Sequence, residues 1–349
     1  MSSSVIPVPT KPWEATNRAR LVTLFNLVLA VAITGVILEV SGINGKIGFF
    51  ITFFAISLVL TFFAHLRTHG LPAAKDSLLS GFALLGIVLT LIPIVSIIAT
   101  VVSKGYKGIH FGMFIHDMAL NSVNDPINSG GLLHALVGTF IMVSGALIIS
   151  FPIGVLTALY LTEIKGKFAR PIRFLVQAMS GVPSIVAGLF ILSSIVYPIT
   201  KELSGLMGSF ALSILMIPTI ARTAEEMLLL IPNELREAGV ALGATQWRTV
   251  MGIILPAAKS GLVTAIILGV ARIIGETAPL LLVSGGGDAT NLNPISGPMG
   301  SLPYYIWKAF LTGGTEEAFA RAWGAMLVLL VTIFILFGLA RFLSQRKIA

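Results

Sequence analysis

Residues 132–161 read LLHALVGTFIMVSGALIISFPIGVLTALYL, thirty positions without one Asp, Glu, Lys or Arg. A helix rises about 1.5 Å per residue, so this run exceeds the roughly 30 Å hydrocarbon core of a bilayer. Seven further apolar runs flank it: Leu21–Val40, Ile47–Ala64 and Leu78–Val102 before it, and Phe174–Tyr197, Leu206–Leu230, Ser260–Val283 and Trp323–Leu343 after it. The sixth run is the weakest, because Arg222, Glu225 and Glu226 fall in its second half. Apolar runs with short polar breaks predict an all-α polytopic membrane protein of about eight transmembrane helices. The whole chain agrees. Of 349 residues, 56% are hydrophobic and 11% charged, against about 25% charged in soluble domains, and the mean hydropathy is +0.95.

The net charge of +8 raises the question of nucleic-acid binding, and its distribution argues against it. With the N-terminus inside, sixteen of the 23 Lys and Arg residues fall in inside segments. Six fall outside, namely Lys46, Lys104, Lys107, Lys201, Lys308 and Arg321, and Arg272 lies within a run. Basic residues favour the cytoplasmic ends of membrane helices, so both termini are expected in the cytoplasm. Lys11, Arg18 and Arg20 before an apolar run, with Ala30-Val31-Ala32 in it, imitate a signal peptide. The run continues past Ala32, which predicts a retained membrane helix. Cysteine is absent, excluding a disulfide framework, a thiolate metal site and a cysteine nucleophile.

The first two runs, joined by the short Ser41–Lys46 turn, predict a helical hairpin. The linker His65–Ser77, with Gly70 and Pro72, separates it from the rest. Residues 1–70 are thus expected to form a cytoplasmic N-terminus plus an extra two-helix hairpin, and residues 71–349 a six-helix body. Two long outside loops, Ser103–Gly131 and Ser284–Ala322, are candidates for a binding role, since loops of that length are often functional. The chain holds no Gly-x-x-x-x-Gly-Lys-Ser/Thr phosphate loop; Gly42 to Lys46 fails the spacing. ATP, if it drives this protein, is handled by another polypeptide.

Between the sixth and seventh runs, residues 232–256 read PNELREAGVALGATQWRTVMGIILP, within an inside loop spanning 223–257. Pro232 suits a helix start, and Glu234 meets the positive end of the helix dipole in the first turn. Leu235, Ala238 and Leu242 follow helical spacing. Gly243 is a natural stop and Thr245 a good cap for a second helix. The pattern predicts two short helices at a sharp turn beneath the membrane, shaped to enter a partner's groove, with Ala238 and Gly239 admitting close approach. The stretch from Ala238 through Leu242-Gly243 to Thr245 also suits a DNA-binding helix-turn-helix, but a loop tied closely to two bilayer spans could hardly enter a major groove.

Arg272 lies near the middle of the seventh span, where an arginine costs roughly 2.5–3.5 kcal/mol and usually faces a bundle interior or polar path. Gly261, Ala265, Gly269, Arg272 and Glu276 share one helix face, and the small residues permit close packing. Arg272 and Glu276 are i, i+4 neighbours able to neutralise each other in part. Pro279 frees the carbonyl of Gly275, a weak point beside Glu276. Two readings follow: an ion pair that fixes register, or an anion path in which Arg272 attracts and Glu276 moderates. Ser180 and Ser184, one turn apart beside Pro183, either line that path or hydrogen-bond between helices. No catalytic constellation stands out. His65 and His69 lack a zinc pattern, and His110, His116 and Asp117 read as loop polarity, so a membrane enzyme is a poor rival.

The inside loop resembles the signature loop of binding-protein-dependent ABC importer permeases: Glu-Ala-Ala, three residues, Gly, nine residues, then Ile-x-Leu-Pro. Here Glu237, Ala238, Gly239, Gly243, Ile253, Leu255 and Pro256 match at every spacing, with Gly239 replacing the second Ala. Arg272 to Leu280 is similar to a segment of phosphate-importer permeases of the PstA type. So are Gly130-Gly131-Leu132 with Gly138-Thr139, Gly181 to Phe190, and Ile217-Pro218 followed by Ala221 to Glu226. The resemblance covers roughly residues 78–343, and the N-terminal hairpin departs from the family's six-helix pattern. It implies a type I ABC importer permease core, a non-catalytic phosphate-permease subunit in the bacterial inner membrane. Its implied partners are a second, PstC-like permease subunit, a cytoplasmic ATPase dimer carrying ATP and Mg, and an extracytoplasmic phosphate-binding protein. The chain itself would bind no cofactor. Glu237, Ala238, Gly239, Gly243, Leu255 and Pro256 would couple to the ATPase, and Arg272, Glu276, Ser180 and Ser184 would face the substrate. An importer of another oxyanion, or an ion-coupled secondary transporter built on Arg272 and Glu276, are the alternatives.

Overall fold

The computed structural model describes residues 17–41 and 45–345. The expected segment before Asn17, the middle of the Ser41–Lys46 turn, and Arg346 with Lys347 lie outside the described residues. Among the described residues all regular structure is helical apart from one isolated bridge between Gly285 and Met299. Among the described residues six helices are long and apolar enough to cross a membrane, or up to seven if one bent pair counts as a single span. The chain is therefore an all-α polytopic membrane protein. It divides into two compact units, Met1–Ile97 and Ile98–Ala349.

The first unit contains α1 (Asn17–Ser41) and most of α2 (Lys46–Gly105). At 60 residues, α2 as a straight rod would be about 90 Å long, three times the hydrocarbon core. Gly70 interrupts it with φ 82 and ψ −176, a backbone state open essentially to glycine alone. Pro72 follows, tolerated in the first turn after the break. The two limbs touch: Gly81 lies against Leu58, and the rings of Phe54 and Phe82 are 6.1 Å apart. The expected linker His65–Ser77 is thus helical on both sides of a single glycine, because only Gly70 has the freedom to break it.

In the second unit, α3 (Leu133–Leu159) and α6 (Gly205–Leu229) form the central pair. Their glycines set the contact. A Cβ on Gly145 would fall 2.5 Å from Ser209 Oγ, and one on Gly154 would fall 2.7 Å from Ile220 Cγ2. Successive contacts advance along both helices together, so α3 and α6 run parallel. The chain between them must return to the starting end. It does so through α4 (Ala169–Ser180) and α5 (Ser184–Ile191), which meet at 104°. The fifth apolar run, read in the sequence as one span, is this broken pair. Pro183 lacks the donor to continue α4 and caps α5 instead. Pro218, by contrast, sits within an uninterrupted α6.

The loop end of α6 leads to α7 (Asn233–Ala241) and α8 (Gln246–Thr249), and α9 (Leu255–Ile273) returns antiparallel to α6. Gly261 packs on Met227, and Gly269 on Ile220 and Met216, so the small-residue face read in the sequence is the α9 seam. Beyond α9 come α10 (Ala278–Val283), α11 (Leu302–Thr312) and α12 (Glu316–Gln345). The core is centred on α6, with Met216, Ile220 and Leu228 fully buried.

Candidate functional site

Two ends of the second unit carry polar, built features. At one end lie α7 and α8. Ala244 N donates to Gly239 O (3.1 Å) and Gly243 N to Val240 O (2.9 Å), with Gly243 left-handed at φ +78. This paired closure satisfies the last carbonyls of α7. Thr245 Oγ1 then accepts from Arg248 N at 3.4 Å and caps α8. Both helices and the turn between them match the sequence reading. Glu237, Ala238, Gly243 and Pro256 are exposed, and Leu255 is half-buried. Val240, Leu242 and Trp247 are 61%, 86% and 65% exposed, so the edge is apolar as well as open.

Gly239 departs from its expected role. It is buried, and a Cβ there would lie 2.6 Å from Thr249 Cγ2 and 2.7 Å from Thr249 Oγ1. The missing side chain admits α8 of the same chain, not a partner.

The α7–α8 pair is also tied laterally, which the sequence did not reveal. Arg236 Nη2 reaches Glu163 Oε1 at 3.0 Å, and Gln246 Nε2 donates to the Glu163 carbonyl at 2.7 Å. Glu163 lies on the wound extension of α3, residues Tyr160–Ile164. Nearby, Arg173 on α4 meets Glu225 on α6 at 2.6 Å. Pairs 52 and 73 positions apart leave no local pattern in a sequence.

At the break between α9 and α10, Arg272 is exposed and Glu276 half-buried. Among the described residues they form no ion pair. The expected i, i+4 contact is lost because α9 ends at Ile273, where Glu276 N turns back to Ile273 O at 3.1 Å. The weak point anticipated beside Glu276 is a complete helix break. Ser180 is exposed and donates to Val176 O of its own helix at 3.0 Å; Ser184 is half-buried. A Cβ on Gly188 would meet Pro279 Cα at 2.8 Å, so Ser184 and Glu276 each lie within about a turn of one contact between α5 and α10. No hydrogen bond joins any two of these four residues.

The opposite end is a platform formed by residues 106–132 and 284–314. Asp117 Oδ2 accepts from Thr290 N and Oγ1, both at 2.9 Å, and these hydrogen bonds hold its carboxyl below the usual carboxylate value. Met118 N donates to Asp288 O at 3.0 Å, and Lys308 pairs with Asp288 at 2.5 Å. Thr139 Oγ1 accepts from Leu302 N at 2.8 Å, and Gly138 lets residues 299–300 lie on the start of α3. Arg321 is buried, and among the described residues no carboxylate pairs with it. Its guanidinium donates to the carbonyls of Ser129 (2.6 Å), Pro126 (2.8 Å) and Asp125 (3.2 Å). Burial pushes the nearby Tyr305 hydroxyl up to about 12, with Arg321 opposing. In the sequence Arg321 counted only as an outside charge; its place at the start of an apolar helix was the one available signal.

Comparison with known proteins gives a consistent picture. Residues 150–349 match the model of the family described as "Binding-protein-dependent transport system inner membrane component". The chain is 37% identical over 278 residues to the "Phosphate transport system permease protein PstA 1" of Mycobacterium tuberculosis (strain CDC 1551 / Oshkosh), covering 78% of this chain and 90% of that protein. It is 38% identical over 263 residues to the "Phosphate transport system permease protein PstA" of Haemophilus influenzae, covering 75% and 90%. Among solved structures, a bacterial ABC transporter involved in importing the acidic polysaccharide alginate aligns at TM-score 0.57 and 16% identity, over 79% of this chain and 97% of that one. The MetNI methionine ABC transporter aligns at TM-score 0.50 and 21% identity, over 62% and 93%. These two show a shared fold.

Proposed function

Because this chain belongs to the binding-protein-dependent transport system inner membrane components, we propose that it is the permease subunit of an ATP-driven importer of inorganic phosphate. The observation that carries the motor-driven part is the α7–α8 edge: two capped short helices with Leu242 and Trp247 open to a partner. We read it as the docking site of a separate ATPase, contacted through Glu237, Ala238, Gly243, Leu255 and Pro256, with ATP and Mg on that partner. A secondary carrier has no use for such an edge. Phosphate as cargo is supported by the relatives' identity over most of their length.

In this reading α2 crosses twice, giving eight spans, a hairpin before residue 71, a six-helix body after it and both termini in the cytoplasm. The membrane is the bacterial inner membrane. A second, related permease subunit closes the path at the α9–α10 break. There Arg272 offers the planar donor fork suited to phosphate, and Glu276, Ser180 and Ser184 complete the wall. An extracytoplasmic binding protein delivers cargo to the platform. The deciding experiment is reconstitution with candidate partner permease, ATPase and binding protein, followed by measurement of ATP hydrolysis. Stimulation by phosphate-loaded binding protein supports the reading. Stimulation only by a different oxyanion would retain the importer and replace its cargo, and no stimulation in the assembled complex would reject it.

A further inference from the structure

We propose that Glu163 and Arg236 are a positioning pair that transmits movement of α7 and α8 to α3, so that transport per ATP depends on their contact. The proposal rests on ATPase docking at α7–α8.

The two faces of α7 differ. Glu237 is exposed, whereas its neighbour Arg236 turns inward. Arg236 Nε lies 3.2 Å from both Glu163 carboxylate oxygens, and Nη2 lies 3.0 Å from Oε1. The remaining donors reach Leu228 O (2.9 Å), Ile231 O (2.7 Å) and Asn233 Oδ1 (3.1 Å). Leu228 O, among the last carbonyls of α6, also accepts from Ile231 N at 3.3 Å. One guanidinium therefore gathers the end of α6, the start of α7 and the end of α3. The Glu163 side chain is only 9% exposed, and ionised, forked hydrogen bonds of this kind fix direction as well as distance. An exposed pair would do neither. Gln246 adds α8 to the same junction through the Glu163 carbonyl.

At its C-terminal end α7 turns at left-handed Gly243 into α8, against which Gly239 packs. What grips the α7–α8 pair from the side, through Arg236 and Gln246, is Glu163. From there α3 runs about 40 Å to the platform, where Gly138 and Thr139 meet residues 299–302. A single helix thus touches both working ends of the unit.

The test uses the full complex in vesicles, with inorganic phosphate uptake and ATP hydrolysis measured together. Glu163→Gln and Arg236→Gln should keep the ATPase bound and hydrolysing while phosphate moved per ATP falls about tenfold. The double variant should be no worse than either single, as expected of one shared contact. Glu163→Asp, which keeps the charge and disturbs assembly least, should fall by less. An unchanged ratio in assembled Glu163→Gln, or in Glu163→Asp together with Gln246→Ala if Glu163→Gln does not assemble, overturns the proposal. So does a parallel loss of uptake and hydrolysis. Leu242→Asp separates the underlying reading: if the ATPase still binds that variant, the docking site is elsewhere.

Discussion

Gly239 faces Thr249 so closely that a Cβ on the glycine would lie 2.6 Å from the threonine methyl. The contact closes α7 on α8 within one chain and gives position 239 a volume limit. Gly239→Ala should destabilise the protein by about 1–3 kcal/mol, the usual cost of overpacking. Adding Thr249→Ala removes both clashing atoms and should recover most of the loss. Thermal unfolding in detergent measures both. Equal melting temperatures for wild type and Gly239→Ala would show that the two helices separate freely.

The turn at Gly70 makes a prediction about sidedness. With two crossings in α2, Lys46 and Lys104 lie on the same side of the membrane and Arg67 on the other. The chain has no cysteine, so single-cysteine variants at these positions report cleanly. An impermeant maleimide should label Lys46→Cys and Lys104→Cys in intact cells and Arg67→Cys only after permeabilisation. Opposite labelling of positions 46 and 104 would make α2 a single crossing.

Arg272 and Glu276, unpaired with each other, should act separately. Arg272→Ala should cut phosphate uptake about tenfold or more, the scale of one lost charged hydrogen bond to an anion. Glu276→Gln should instead slow turnover and lower the half-saturating phosphate concentration, because a moderating negative charge is gone. Uptake unaltered in both variants would remove them from the path.

Arg321→Leu strips the donors from three loop carbonyls and should cost about 3 kcal/mol. Hydrogen exchange should rise first in residues 122–131. Arg321→Lys should recover only part, since an ammonium lacks the fork that reaches several acceptors at once. Unchanged exchange in the leucine variant would mean that the loop holds itself.

Asp117 supplies a pH test. Its carboxyl is held below the ordinary value of 3.8, first by the Thr290 backbone hydrogen bond. A depressed value means that the tie is present above the unfolded value and lost as pH falls through the folded one. Exchange at the Thr290 amide should therefore stay slow from neutral pH to about 4 and accelerate only in stronger acid. Asp117→Asn should abolish that step and cost about 1 kcal/mol, read as a lower melting temperature.

Helices whose identity rests on local pattern were legible in the sequence. The capped turn at Gly243 and Thr245, the apolar runs and the small-residue face of α9 all follow from neighbours within a few positions. Three features differ from the sequence reading. The linker around Gly70 is helical because its limbs pack on each other, which no local breaker signal records. The fifth run bends by 104° at Pro183 instead of crossing as one helix. Arg272 and Glu276 looked like helix neighbours, but α9 ends at Ile273, between them. The ties Arg236–Glu163, Asp117–Thr290 and Arg321 to residues 125–129 join positions 73, 173 and nearly 200 apart. Individually those residues are ordinary polar positions in loops and helix ends. Only folding gives them partners.

Arg321 grips residues 125–129 through carbonyl oxygens alone, and every amino acid, proline included, carries one. The grip is indifferent to which side chains the segment bears. Its outer surface can therefore be rewritten over evolutionary time while the path of the chain stays put. Partner preference at this end can drift without refolding the platform, and one arginine carries that freedom.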